Sequence, residues 1–173
     1  MRNFLRILAY LALGYLLLSV ESPLLVRFHL RMYAPDPTLA IVVFSALVLD
    51  FLPGMATAAL LGLMKDGFSA GVPVGLHVEI YLLIFLACVI LSNRFDYRNT
   101  VLMTAVTAGA SLLASFLFFV FVAIFDRDFE QFDLIFRLAI PQALITAPMG
   151  PIVAALLKWV DKKLTDERDG TFR

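Results

Sequence analysis

Asp50, Lys65, Asp66, Glu79 and the two histidines, His29 and His77, are the side chains whose chemistry stands out in an otherwise apolar chain. Gly67-Phe68-Ser69-Ala70-Gly71 spells the G-x-S-x-G pattern of a serine nucleophile. That pattern carries weight at a strand-to-helix elbow with a histidine base at hand. Here it follows an apolar stretch and no histidine occurs after His77. The glycines are therefore expected to turn the chain between two helices, and no catalytic residue is assigned. Neither histidine has a Cys/His or carboxylate cluster at ligand spacing, so no metal and no cofactor is expected. His77, near a helix start, reads as a hydrogen-bonding residue of the membrane interface.

Charges at membrane depth are costly and face protein or water-filled space. Asp50, Lys65, Asp66 and Glu79 fall near the ends of apolar stretches, where a long side chain can reach the headgroups. The structural expectation is an ion pair of Lys65 with Glu79, closing the connection between the third and fourth helices. The functional rival is a proton or substrate path through Asp66, His77 and Glu79.

The elements that must hold these residues are apolar. Of 173 residues, 61% are hydrophobic and 16% charged, and the mean hydropathy is +0.90. Soluble domains carry roughly 45–50% apolar and about 25% charged residues. A chain this short cannot hide such an excess in a core, because it must still cover itself with polar surface; it needs an apolar solvent. Fourteen basic and fourteen acidic residues cancel, which gives no ground for nucleic-acid binding. The single cysteine, Cys88, excludes a disulfide within the chain. Met1-Arg2-Asn3-Phe4-Leu5-Arg6 and the apolar run after it imitate a signal peptide, but Ser19-Val20-Glu21-Ser22-Pro23 lacks a small-x-small cleavage pattern. The segment is expected to stay as a first span.

A membrane helix takes about 20 mostly apolar residues. Residues 4–25, 74–91, 100–125 and 134–159 meet this. Residues 38–64 as one helix would run about 40 Å, too long for one span. Pro53-Gly54 reads as a break, which divides the region into short helices over 38–52 and 55–66. The fold class is thus an all-α membrane protein with six transmembrane helices in one domain, 1–163, followed by a polar tail, 164–173. Pro35, Asp36 and Pro37 form the turn before the second helix, with Thr38 as its expected N-cap. Asn99 or Thr100 should cap the fifth.

Lysine and arginine counts set orientation. With the N-terminus inside, nine such residues lie on the cytoplasmic side (Arg2, Arg6, Arg94, Arg98, Lys158, Lys162, Lys163, Arg168, Arg173) and five outside (Arg27, Arg31, Lys65, Arg127, Arg137). Both termini are expected to be cytoplasmic. A five-span layout scores the same, so helix length, not charge, favours six. Thr107, Ser111 and Ser115 recur at every fourth position, as do Ala105 and Gly109, giving faces where another helix can approach. Phe116, Phe118, Phe119, Phe121 and Phe125 are expected to meet lipid. Pro141, Pro148 and Pro151 should kink the last span, and Lys158 and Trp159 should anchor it at the interface.

Three stretches together resemble the MreD family of bacterial rod shape-determining membrane proteins. The first is Ala34-Pro35-Asp36-Pro37-Thr38-Leu39, similar to the start of that family's second span. The second is Gly62-Leu63-Met64-Lys65-Asp66-Gly67-Phe68-Ser69-Ala70-Gly71-Val72-Pro73-Val74-Gly75-Leu76-His77, with an aspartate after a glycine-containing helix, a glycine-bearing turn and a Gly-Leu opening the next span. The third is Gln142-Ala143-Leu144-Ile145-Thr146-Ala147-Pro148-Met149-Gly150-Pro151, similar to its proline-containing last helix. The order and spacing of the three cover most of the chain; Lys65 directly before Asp66 departs from the family pattern.

What the resemblance implies is a non-enzymatic inner-membrane component of the elongasome, the machinery of lateral peptidoglycan synthesis and cell shape. It would bind MreC, associate with MreB, RodA and a class B penicillin-binding protein, and need no cofactor. The implied fold is similar to the six-helix substrate-binding subunits of energy-coupling-factor transporters. The alternative is such a subunit itself, carrying a vitamin. Pro35, Asp36, Lys65, Asp66, Gly71, Gly75, His77, Glu79 and Gly109 are the structural or partner-contact candidates.

Overall fold

The computed structural model describes residues 2–27, 35–69, 74–92, 99–125 and 132–169, and all regular structure among them is helical. The segments are α1 (Arg2–Arg27), α2 (Pro37–Val48), α3 (Phe51–Phe68), α4 (Leu76–Ser92), α5 (Thr100–Phe125), α6 (Phe132–Thr146) and α7 (Met149–Asp169). The last two are arms of one unit, broken where Ala147 and Pro148 form a turn. Pro148 has no N–H to give a continuing helix, and it disfavours helical geometry in the residue before it. The described residues thus make six helical units. Three are long and apolar enough to cross a membrane: α1 over Asn3–Val20, α5 over Thr100–Ile124, and the α6–α7 unit over Arg137–Lys163. Pro37–Val48 and Leu76–Leu91 are shorter apolar helices. By length and composition this is a multi-pass membrane protein.

Every residue of α2 from Pro37 to Ala46 is buried. A helix apolar on all sides needs neighbours on all sides, and α2 is the axis on which α1, α3, α4, α5 and α7 pack. The outer helices instead expose large apolar side chains: Phe4, Leu8 and Leu16 on α1, Val101, Leu112 and Phe116 on α5, Ile140 and Leu144 on α6. Lipid is the solvent such faces require.

The interruption between the second and third helices sits earlier than Pro53-Gly54. Leu49 is extended, Asp50 is the N-cap of α3, and Pro53 lies inside the first turn. A proline there sacrifices nothing, because first-turn N–H groups have no intrahelical acceptor. The N-cap of α2 is likewise Asp36 and not Thr38: its carboxylate accepts from Leu39 N at 3.0 Å, with Pro37 at the first helical position. Asn99 caps α5, its Oδ1 accepting from Val101 N at 3.0 Å. The α7 backbone stays helical to Asp169, through most of the stretch expected to be a tail.

α3 and α4 form the tightest hairpin. A Cβ at Gly62 would stand 2.6 Å from Val78 Cα and 2.8 Å from the His77 carbonyl oxygen. Backbone cannot yield as a side-chain tip can, so Gly62→Ala must part the two helices. The expected cost is about 1–3 kcal/mol, read as a lowered Tm of the purified protein in detergent; an unchanged Tm would show that the hairpin is looser than this.

Candidate functional site

Asp36 is the centre of a buried polar network inside the bundle. Its carboxylate accepts from the Tyr81 hydroxyl at 2.9 and 3.0 Å, from the Thr38 hydroxyl at 2.8 Å and from Leu39 N at 3.0 Å. The Lys65 ammonium forms an ion pair with the same carboxylate and lies 5.5 Å from the centre of the Tyr81 ring. The hydroxyls of Thr38 and Tyr81 are 2.6 Å apart. The Asp36 backbone N–H donates to Thr146 Oγ1 at 3.1 Å. The carboxylate therefore ties α2 to α3 and α4, and the Asp36 backbone N–H ties it to α6.

Next to it, Asp66 caps the following helix from a distance. Its Oδ2 accepts from Gly75 N at 2.8 Å, and its Oδ1 accepts from His77 N at 3.0 Å. His77 Nδ1 meets Oδ1 at 2.7 Å. Gly75 holds a φ of +102°, which turns the chain so that its N–H and that of His77 face one carboxylate; this backbone region suits glycine. The His77 ring is bracketed by Tyr81 and Phe118, with centroids at 6.4 and 6.2 Å.

The sequence-based candidates divide accordingly. Asp36, Lys65, Asp66, Gly75 and His77 come together, and Pro35 stands beside Asp36. The expected Lys65–Glu79 ion pair does not form, because Lys65 pairs with Asp36 and Glu79 is exposed. Helical phase explains it: His77, Ile80, Tyr81, Ile84 and Phe85 line the inner face of α4, while Glu79 shares the outer face with Leu83, Leu86 and Ile90. A path through Asp66, His77 and Glu79 thus lacks its third member. Gly109 is exposed and touches nothing in the cluster; Thr107 and Ser111, on the opposite stripe, face inward. Gly71 lies outside the described residues, as do Ala70 and the connections over 28–34, 93–98 and 126–131. Ser69 is the extended residue that ends α3. Phe116 is exposed, but Phe118 and Phe121 pack on the core.

Depth is the other correction. Asp50 sits beside the start of α1, where Asn3 donates to it at 3.3 Å, but the start of α2 and the end of α3 lie against the middle of that long helix. A Cβ at Gly14 would be 3.7 Å from Thr38 Cγ2, and the rings of Tyr15 and Phe68 are 5.9 Å apart. Gly14 lies about 17 Å along α1 from Asn3 at the usual helical rise. The network therefore lies inside the bundle against the middle of α1, where the cost of burying charge is met by pairing and hydrogen bonds.

Tyr81 and Thr146 were not legible as members of the site. Tyr81 follows His77 by one helical turn, the spacing at which side chains stack on one face, and that was the available signal. A second polar tie was equally hidden: the Tyr10 hydroxyl donates to Asp161 Oδ2 at 2.9 Å, and Arg6 Nε meets Asp161 Oδ1 at 3.2 Å, joining α1 to α7. Below it Lys163 lies 4.2 Å from the centre of the exposed Trp159 ring. Comparison with protein families, with curated proteins and with solved structures returns no match for this chain.

Proposed function

We propose that the chain is a non-enzymatic membrane scaffold of the MreD type, crossing the bacterial inner membrane six times with both termini in the cytoplasm. The supporting observation is spatial. The three stretches that carry the resemblance, around Asp36, around Lys65 to His77 and around Thr146, are far apart in sequence and converge on one buried network. In this reading the network fixes the helix arrangement, and the apolar outer faces of α1, α5 and α6 offer a partner's single transmembrane helix its docking surface. Association there rests on van der Waals packing and close backbone approach, since lipid removes the hydrophobic drive.

The partner is MreC, with MreB, RodA and a class B penicillin-binding protein reached through that assembly. Immobilised protein is expected to retain MreC from solubilised membranes, and depletion is expected to turn rods into spheres. Failure of both results would remove the scaffold reading. The vitamin-carrier alternative is supported by one observation, a buried polar cluster between short helices, the kind of place where transporters bind their substrates. A small vitamin copurifying at one equivalent would decide for it.

A further inference from the structure

The Asp66–His77 pair has an open end. Imidazole Nδ1 lies 2.7 Å from Oδ1 of the carboxylate, an acceptor for an Nδ1–H; in the neutral ring that tautomer leaves the lone pair on Nε2. Among the described residues no hydrogen-bonding group reaches Nε2, and the His77 side chain keeps 12% of its surface exposed. A carboxylate on one nitrogen orients the ring, and the partnerless Nε2 is the atom left to accept a further proton.

The charge balance says what occupies the site at rest. Facing His77 are Lys65 and Asp66 from α3, Asp36 from the start of α2 and Tyr81 from its own helix, while α5 contributes only the Phe118 ring. Glu79, on the same turn, points outward. Two carboxylates are matched by one ammonium and by the N-termini of α2 and α4, each worth about half a positive charge. The cluster is therefore near neutral with an uncharged His77. One more proton makes it net positive in a region of low dielectric, with Lys65 as the nearest cation to be repelled.

We propose that the Asp66–His77 pair is a proton-binding site inside the membrane, in which Nε2 of a neutral His77 takes up one proton and the charge so created weakens the Lys65–Asp36 tie. The site is independent of the scaffold reading and would serve either a scaffold or a carrier. Its effect is to couple protonation of His77 to the packing of α2 against α3.

The test is nitrogen-15 NMR of histidine-labelled full-length protein in nanodiscs, in a His29→Gln background so that one imidazole is observed. At about pH 8 the spectrum should show the Nδ1–H form with an unprotonated Nε2, and on lowering to about pH 4.5 both nitrogens should become protonated. Over the same range Tm should fall in the parent and change by less than half as much in His77→Asn, whose amide can still donate to Asp66. An Nε2–H form at about pH 8, or an imidazole that stays neutral throughout, would overturn the proposal. If the variant fails to fold, the spectrum of the unsubstituted cluster still decides.

Discussion

Asp36→Ala is expected to be the most damaging single substitution in the chain, lowering stability by about 3–5 kcal/mol or preventing accumulation of folded protein. Three losses coincide. The Lys65 ammonium is left without its carboxylate, the hydroxyls of Tyr81 and Thr38 lose their acceptor, and α2 loses its N-cap. A buried charge without a partner is the largest of these. The components can be separated. Asparagine caps a helix about as well as aspartate, so Asp36→Asn keeps the cap and removes the ion pair. It should still lose about 3 kcal/mol, a fall of roughly 10 °C in Tm for a chain of this size. Adding Lys65→Met should recover most of that, since replacing both partners of a buried pair by neutral groups is often nearly free. Thermal unfolding of the parent, Asp36→Asn, Lys65→Met and the double variant in one detergent reads the cycle. If Asp36→Asn melts with the parent, the Lys65–Asp36 contact is not an energetic tie, and α2 is held by packing alone.

How much of this was visible before the structure depends on the kind of information involved. Composition and run length specify helices and their apolar environment, so the helical units and the membrane followed directly. Local chemistry was half visible. Asp36, Lys65, Asp66 and His77 stood out because ionisable groups are rare in such a chain, but who pairs with whom is a matter of helix phase. Lys65 and Glu79 flank one connection and invite pairing, yet Glu79 stands on the outer face of α4. Tyr81 has the opposite history. Inside an apolar run it reads as core, and only the inward stripe of α4 turns its hydroxyl into a partner of Asp36.

Depth could not be read at all. A stretch boundary marks where a helix ends, not where that end lies against other helices. α2 is a short helix packed in the centre of the bundle, so its first turn lies against the middle of α1. The misplaced break between α2 and α3 has a smaller cause. Proline is a stop signal within a helix and a start signal in its first turn, and one sequence does not say which of the two Pro53 is.

Asp66→Ala is expected to cost nearly as much as the loss of Asp36, by a different route. Asp66 is not paired with a permanent cation; its carboxylate replaces the missing acceptors at the start of α4, taking the N–H groups of Gly75 and His77 and the imidazole Nδ1–H. Losing a side-chain cap costs about 0.5–2 kcal/mol, and a hydrogen bond to a charged group about 1.5–3 kcal/mol. Together these put Asp66→Ala near 3 kcal/mol, short of their full sum because all three bonds share one group. The damage should be local. Amide exchange at Gly75 and His77 should accelerate by more than tenfold, while amides in the middle of α2 and α5 should accelerate no more than the loss of global stability requires. Asp66→Asn, with one oxygen left to accept, should fall between the parent and the alanine variant. Parent-like protection of the Gly75 and His77 amides in Asp66→Ala would mean that α4 starts without help from α3, and that the bond between the two helices rests on the Gly62 contact instead.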